Sequence, residues 1–246
     1  MRPCLIFALL FSLMPAHNAR AAAPAVPAFS QMRDNGQIAG WLPLKPAPKA
    51  ADTRYSLVTD NGIVVLKAEA TKSMSGLSYP IRVDLRQTPL LRWRWKISAP
   101  VNSADMTKKS GDDYAARIYV MFDYPTEKLS LATRLKLKLA ASIYGLSIPT
   151  AALNYVWDNR QPVGTVQANT YTDRARMMVL QSGATKAGLW QTETRDLAAD
   201  FRLAFGEDAP DVVAIALASD TDNTGETVTA WYGDIEFFPM DKKPAP

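Results

Sequence analysis

Histidine and cysteine are almost missing from this sequence: His17 and Cys4 are each single, and both stand close to the N-terminus. They fall within residues 1–23, where Arg2 precedes an apolar run from Leu5 to Met14 and small residues follow from Ala19 to Ala23. That pattern predicts a secretory signal peptide, which leaves residues 24–246 as a single domain. Without Cys4 and His17, the exported chain has no thiol and no imidazole. Cysteine nucleophiles, histidine-based triads, Cys/His zinc sites and disulfides are then excluded. A second long apolar run is also missing, and the first is shorter than the roughly 20 residues that cross a bilayer. The expectation is a periplasmic or secreted protein with no transmembrane segment after processing.

Charge of one sign is scarce as well. The chain carries 28 Lys and Arg against 24 Asp and Glu, a formal charge of +4, and Arg2 and Arg20 would leave with the signal. There is no Lys/Arg tract, so a nucleic-acid partner is not expected. GLSIP and GATKAG lack the spacing and the strand-loop-helix setting of a phosphate loop.

Short β-compatible runs are plentiful. IVVLKAEA at 63–70 follows the turn pair Asn61-Gly62 and predicts a hairpin. In LLRWRWKI at 90–97, period two puts Leu91, Trp93, Trp95 and Ile97 on one face and Arg92, Arg94 and Lys96 on the other. Residues 111–123 become a strand with Ala116, Ile118, Val120 and Phe122 opposite Arg117, Tyr119, Met121 and Asp123. Further strands are read at 176–181, 212–219 and 227–238. In the last, strict alternation sets Trp231, Ile235 and Phe237 against Tyr232, Asp234 and Glu236. Many short strands between Gly, Pro, Asn and Asp turns predict a mainly β fold: a jelly-roll or galactose-binding-like β-sandwich. One amphipathic helix is inserted at 127–144, where Leu131, Leu135 and Leu139 recur every four residues. Phe29, Ile38 and Trp41 read as anchors of an N-terminal covering segment. Leu197, Phe201 and Phe205 read as the buried stripe of a second, short helix, with Asp196 and Asp200 capping or solvating it.

Three groups of residues are candidates for chemistry. Arg92, Arg94, Arg117 and Arg176, if neighbouring strands bring them together, form a cationic face for carboxylate or sulfate groups, with Tyr119 and Tyr232 as stacking surfaces. Asp220, Asp222, Asn223 and Glu226 in SDTDNTGE space oxygen ligands as a calcium loop does, although the twelve-position pattern is incomplete and a tight Asx-rich turn reads equally from the same residues. Asp112 and Asp113, after Gly111, make a second acidic turn, open to calcium, to turn capping or to sugar hydroxyls. The carboxylates Asp112, Asp113, Asp123, Asp234 and Glu236 keep a glycoside hydrolase open, and Arg117 with Tyr119 keeps a polysaccharide lyase open.

LRWRWKI, GDDYAARIYVMFD, LNYVWDN, GLWQTETRDLAADFRLAFGE and ALASDTDNTGETVTAWYGDIEF, in this order over about residues 29–238, resemble the bacterial exported family of domain of unknown function 3047. The resemblance implies an exported β-rich domain and no particular reaction. SDTDNTGETVTAWYGDIEF is also similar to the closing segment of galactose-binding-like jelly rolls. The leading expectation is a noncatalytic domain that binds a carbohydrate or an anionic cell-envelope polymer, with a structural calcium as candidate cofactor. The alternatives are a carbohydrate-active hydrolase or lyase, and a structural domain with an envelope-protein partner.

Overall fold

The computed structural model describes residues 24–135 and 150–240. Among the described residues twelve strands follow one another: β1 (Leu42–Leu44), β2 (Arg54–Asp60), β3 (Ile63–Thr71), β4 (Met74–Val83), β5 (Leu90–Ile97), β6 (Arg117–Phe122), β7 (Ala151–Asp158), β8 (Val166–Ala168), β9 (Ala175–Ser182), β10 (Gln191–Asp196), β11 (Val212–Asp220) and β12 (Thr227–Phe238). They form a seven-stranded sheet in the order β1-β4-β11-β6-β7-β9-β8 and a five-stranded sheet in the order β10-β5-β12-β3-β2. Every neighbouring pair is antiparallel except β7 and β9. The two sheets pack face to face as a jelly-roll β-sandwich.

Sequence period accounts for most of this. On β5, Leu91, Trp93, Trp95 and Ile97 are all buried, whereas Arg92, Arg94 and Lys96 alternate outward. Trp93 meets Tyr155 of β7 at 5.2 Å between ring centroids, and Trp95 meets Trp157 at 6.1 Å. These contacts across the sheets are the centre of the core. The β2–β3 hairpin turns on Asn61 and Gly62, with φ of 51° and 79°, the two-residue turn that suits the twist of antiparallel strands.

The period fails on β12. Its register with β5 shifts between Tyr232 and Ile235, a bulge that spans Gly233. Tyr232 therefore turns into the sandwich with Ile235 and Phe237, while Trp231 faces outward. The alternation expected for this strand is corrected at that point.

Helical content is small. The helix Leu197–Phe205 starts on Asp196, whose carboxylate accepts from the Ala199 N–H at 3.0 Å, and stops on left-handed Gly206. Phe201 packs on Phe122 at 4.7 Å, and the helix closes over the core there. Asp200 does more than solvate it, accepting from Tyr155 Oη at 2.6 Å and from Arg195 Nε at 2.8 Å. Of the helix expected at 127–144, a 3-10 turn occupies Thr126–Lys128, residues 131–135 are helical, and 136–149 lie outside the described residues. Phe29 stacks on Trp41 at 5.4 Å, so the N-terminal covering segment is anchored as expected.

Candidate functional site

Arg117 organises a buried polar region of the molecule. It lies at the start of β6, on the outer face of the seven-stranded sheet. Register sets it beside Ala218 of β11, with Ala216 beside Tyr119 and Ala214 beside Met121. These methyl side chains leave room for the long side chains of β6 to lie across the neighbouring strand. Two residues beyond Ala218, Asp220 meets the guanidinium: Arg117 Nε donates to Oδ1 at 2.8 Å and Nη2 donates to Oδ2. Nη2 also donates to the Asp112 carbonyl at 3.1 Å. Arg117 is 2% exposed and Asp220 1% exposed, so the pair is withdrawn from water. Its planar cation lies 4.9 Å from the Tyr114 ring and 5.6 Å from the Tyr119 ring. Burial opposes its charge, yet the surrounding Tyr119, Asp112, Tyr114 and Asp113 together raise its pKa.

Around this pair the 111–114 and 220–224 loops close on each other. Asp113 is fully buried and accepts from the backbone N–H of Asn223 at 3.3 Å and of Thr224 at 2.6 Å. Carboxylate oxygens of Asp113, Asp220 and Asp222 lie within 4.8 Å of one another, so these three could hold a hard cation. Asp222 is half-buried, and burial followed by the Asp113 charge raises its pKa. Asn169 donates to Asp112 at 3.0 Å and accepts from the Tyr171 N–H at 2.9 Å, which fixes Tyr171 at the exposed rim. Burial, then Asp112, Asp222 and Asp113, raise the Tyr171 pKa. Burial likewise raises that of half-buried Tyr119, against the lowering effect of Arg117, so both phenols keep their protons, and Tyr171 donates its own to the Lys109 carbonyl at 3.2 Å.

The cationic face expected from sequence does not assemble. Arg92 and Arg94 project from the outer face of the five-stranded sheet, on the far side of the sandwich from Arg117 and Tyr119. Arg176 lies over the Phe205 ring at 5.4 Å, beside the helix. Tyr232 is buried between the sheets, where it accepts from the Arg117 N–H at 3.2 Å and donates to the Ala218 carbonyl at 2.6 Å. Alternation along one strand gives no information about which strands lie in which sheet. Arg117 itself is spent on Asp220 and offers no open surface to a ligand.

The acidic loop is brought together in part. Asp220 and Asp222 stay in the group. Asn223 contributes its backbone N–H to Asp113, and Glu226 turns away to accept from Ser103 N at 2.7 Å and Asn102 N at 3.0 Å. Asp113, read from the Gly-Asp-Asp turn at 111–113 as a separate acidic turn open to calcium, joins this group, which the sequence alone did not show. Asp123 pairs with Arg82 at 3.1 Å, and Asp234 takes the Ser30 hydroxyl at 2.6 Å, so neither faces this region.

Residues 39–236 match the family described as protein of unknown function (DUF3047), and the chain belongs to that family. No curated protein matches it in sequence. In fold it is similar to a family 12 xyloglucanase from Bacillus licheniformis, at 10% identity and a TM-score of 0.44, over 88% of this chain and 99% of that one. It is also similar to the Emp47p carbohydrate recognition domain, at 12% identity and a TM-score of 0.43, over 90% and 99% of the two chains. For the family 12 endoglucanase 3 of Trichoderma harzianum the values are 9% and 0.41, over 81% and 91%. These likenesses concern the fold alone. No helix among the described residues is long and apolar enough to cross a membrane.

Proposed function

We propose that this chain is a glycan-recognising domain whose ligand lies at the rim formed by Asp222, Asn169, Tyr171 and the half-buried Tyr119. The observation that carries the reading is the convergence of Asp113, Asp220 and Asp222 within 4.8 Å beside two phenol rings. Carboxylates accept from sugar hydroxyls, the Tyr171 oxygen, whose proton goes to the Lys109 carbonyl, accepts from them too, and aromatic faces cover the apolar side of a pyranose. The Arg117–Asp220 pair acts behind this surface as its fixed support.

Calcium fits the group as a cofactor. Four carboxylates, Asp112, Asp113, Asp220 and Asp222, surround the single guanidinium of Arg117, and a divalent cation would offset the remaining negative charge. Asp222 would gain most, because burial and then the Asp113 charge raise its pKa, and a cation beside it would oppose that shift. The direct test is calorimetric titration of the full chain with cellohexaose, xylohexaose and maltohexaose, with and without calcium, followed by sizing of the sugars. Binding that is strengthened by calcium and lost in Asp222→Asn supports the reading.

A second reading, hydrolysis, is favoured by one observation. Asp222 is a half-buried carboxyl whose pKa is raised by burial and by the Asp113 charge, as that of the general acid is in glycosidases. Shortened oligosaccharides in the same titration would select it. Export belongs to the same proposal: residues 1–23 are removed, and residues 24–246 work as one domain in the periplasm or outside the cell. N-terminal sequencing of the secreted protein is expected to start near Ala22 to Pro24, and a start at Met1 would contradict it.

A further inference from the structure

On the opposite face of the sandwich, three cations leave β5 side by side and meet different fates. Arg92 pairs with Glu236 at 2.9 Å, and Lys96 pairs with Asp60 at 2.6 Å. Arg94, between them, makes no direct ion pair or hydrogen bond among the described residues, and its charge is felt by the Asp60 carboxylate, whose pKa is lowered first by Lys96 and also by Arg94. Its neighbour on β10 is Thr192, which is exposed and carries no charge. We infer that Arg94 is the centre of a carboxylate-recognition subsite on the outer face of the five-stranded sheet, and that it takes a uronate residue of an acidic glycan.

Arg94 is held in place although it makes no direct ion pair. Its guanidinium lies 4.5 Å from the centroid of the Trp190 ring. Trp190 is held in turn, donating from Nε1 to Asp60 Oδ2 at 2.7 Å. On the other side stands Gly233, in the bulge of β12. A Cβ there would come within 2.4 Å of both Arg94 Cγ and Arg94 Nε. The φ of Gly233 is not left-handed, so it is the close approach of Arg94, and not backbone freedom, that requires glycine. The bulge that turns Tyr232 inward thus also makes the recess for Arg94.

No Arg94 nitrogen is buried without a partner, so the donors of this half-buried guanidinium are open to solvent and to a ligand. Held between an indole and a glycine, it has lost rotamer freedom before any ligand arrives. Its planar fork matches a carboxylate through two parallel hydrogen bonds. Beside it, Lys96 Nζ lies 4.5 Å from the Trp231 ring and 5.1 Å from the Trp190 ring, so two partly exposed indoles flank the cation row. Indole faces cover the apolar side of a pyranose, and a pyranose that carries a carboxylate is a uronate. This subsite lies on the other sheet from the acidic rim and does not depend on it.

Titration of the full chain with hexagalacturonate tests the inference. Arg94→Gln is expected to weaken binding about tenfold or more, the usual weight of a charge-assisted pair. Gly233→Ala should do the same, because it displaces Arg94 without removing a charge. Arg94→Lys should fail to restore binding, since an ammonium cannot form the fork. Hexagalacturonate that does not bind the wild-type chain, or that binds Arg94→Gln and Gly233→Ala as it binds wild type, overturns the inference. Asp222→Asn is the separating control: it tests the rim with neutral hexaoses and should leave hexagalacturonate affinity unchanged.

Discussion

Arg117 and Asp220 neutralise each other in the most deeply buried ion pair near the rim, and a pair of this kind is costly to break from one side. Arg117→Met leaves Asp220 charged and without its partner, and a loss of about 3–5 kcal/mol of stability is expected in denaturant unfolding. A loss below about 1 kcal/mol would show that Asp220 is solvated and the rim open beneath its surface. Asp222 behaves in the opposite sense. Burial and Asp113 raise its pKa, so just above the ordinary value of 3.8 the folded state keeps a proton that the unfolded chain has lost. Stability from this group is full below that ordinary value and falls as pH rises through the folded pKa. Asp222→Asn should therefore be more stable than wild type at neutral pH without calcium, with a difference that closes under acid conditions. Thermal unfolding against pH checks this, and a difference independent of pH would contradict the assignment. Added calcium should stabilise wild type and leave Asp222→Asn unchanged.

Among the elements, β5 and β12 show where sequence reading succeeds and where it stops. β5 is legible residue by residue because its alternation is strict, its inward residues are large and its flanks are turn-forming. The β2–β3 hairpin was legible for a local reason too, the Asn61-Gly62 pair. β12 was placed correctly but misread across its faces, since one extra residue at a bulge moves every later side chain to the other side. Gly233 is the visible trace of that bulge, and its meaning depends on Arg94, which is remote in sequence. Tyr232 links this element to the rim by accepting from the Arg117 N–H and donating to the Ala218 carbonyl. Tyr232→Phe should cost about 1–3 kcal/mol, because it strips a buried N–H and a buried carbonyl of their shared partner. An unchanged unfolding midpoint would show that the two strands satisfy those groups between themselves.

Over the whole molecule, the class of fold could be read from the sequence, but the arrangement of the candidate site could not. Strand count, turn chemistry and the aromatic stripe of β5 point to a sandwich without any knowledge of strand order. The site depends on that order. Arg117 and Asp220 meet because β6 and β11 are neighbours, and Arg94 is separated from Arg117 because β5 belongs to the other sheet. Asp113 joins Asp220 and Asp222 only when two loops distant in sequence close on each other. The result is a sandwich with two unlike outer faces, an acidic rim backed by a buried ion pair on one and an arginine held on tryptophan on the other.

The most direct measurement is calorimetric titration of the full chain with the three neutral hexaoses, with and without calcium, and with Asp222→Asn alongside. The account predicts saturable binding of at least one hexaose that calcium strengthens, that Asp222→Asn abolishes, and that leaves the sugar at its original length. No binding of any hexaose in either condition, or equal binding by wild type and Asp222→Asn, would contradict a glycan site at the acidic rim.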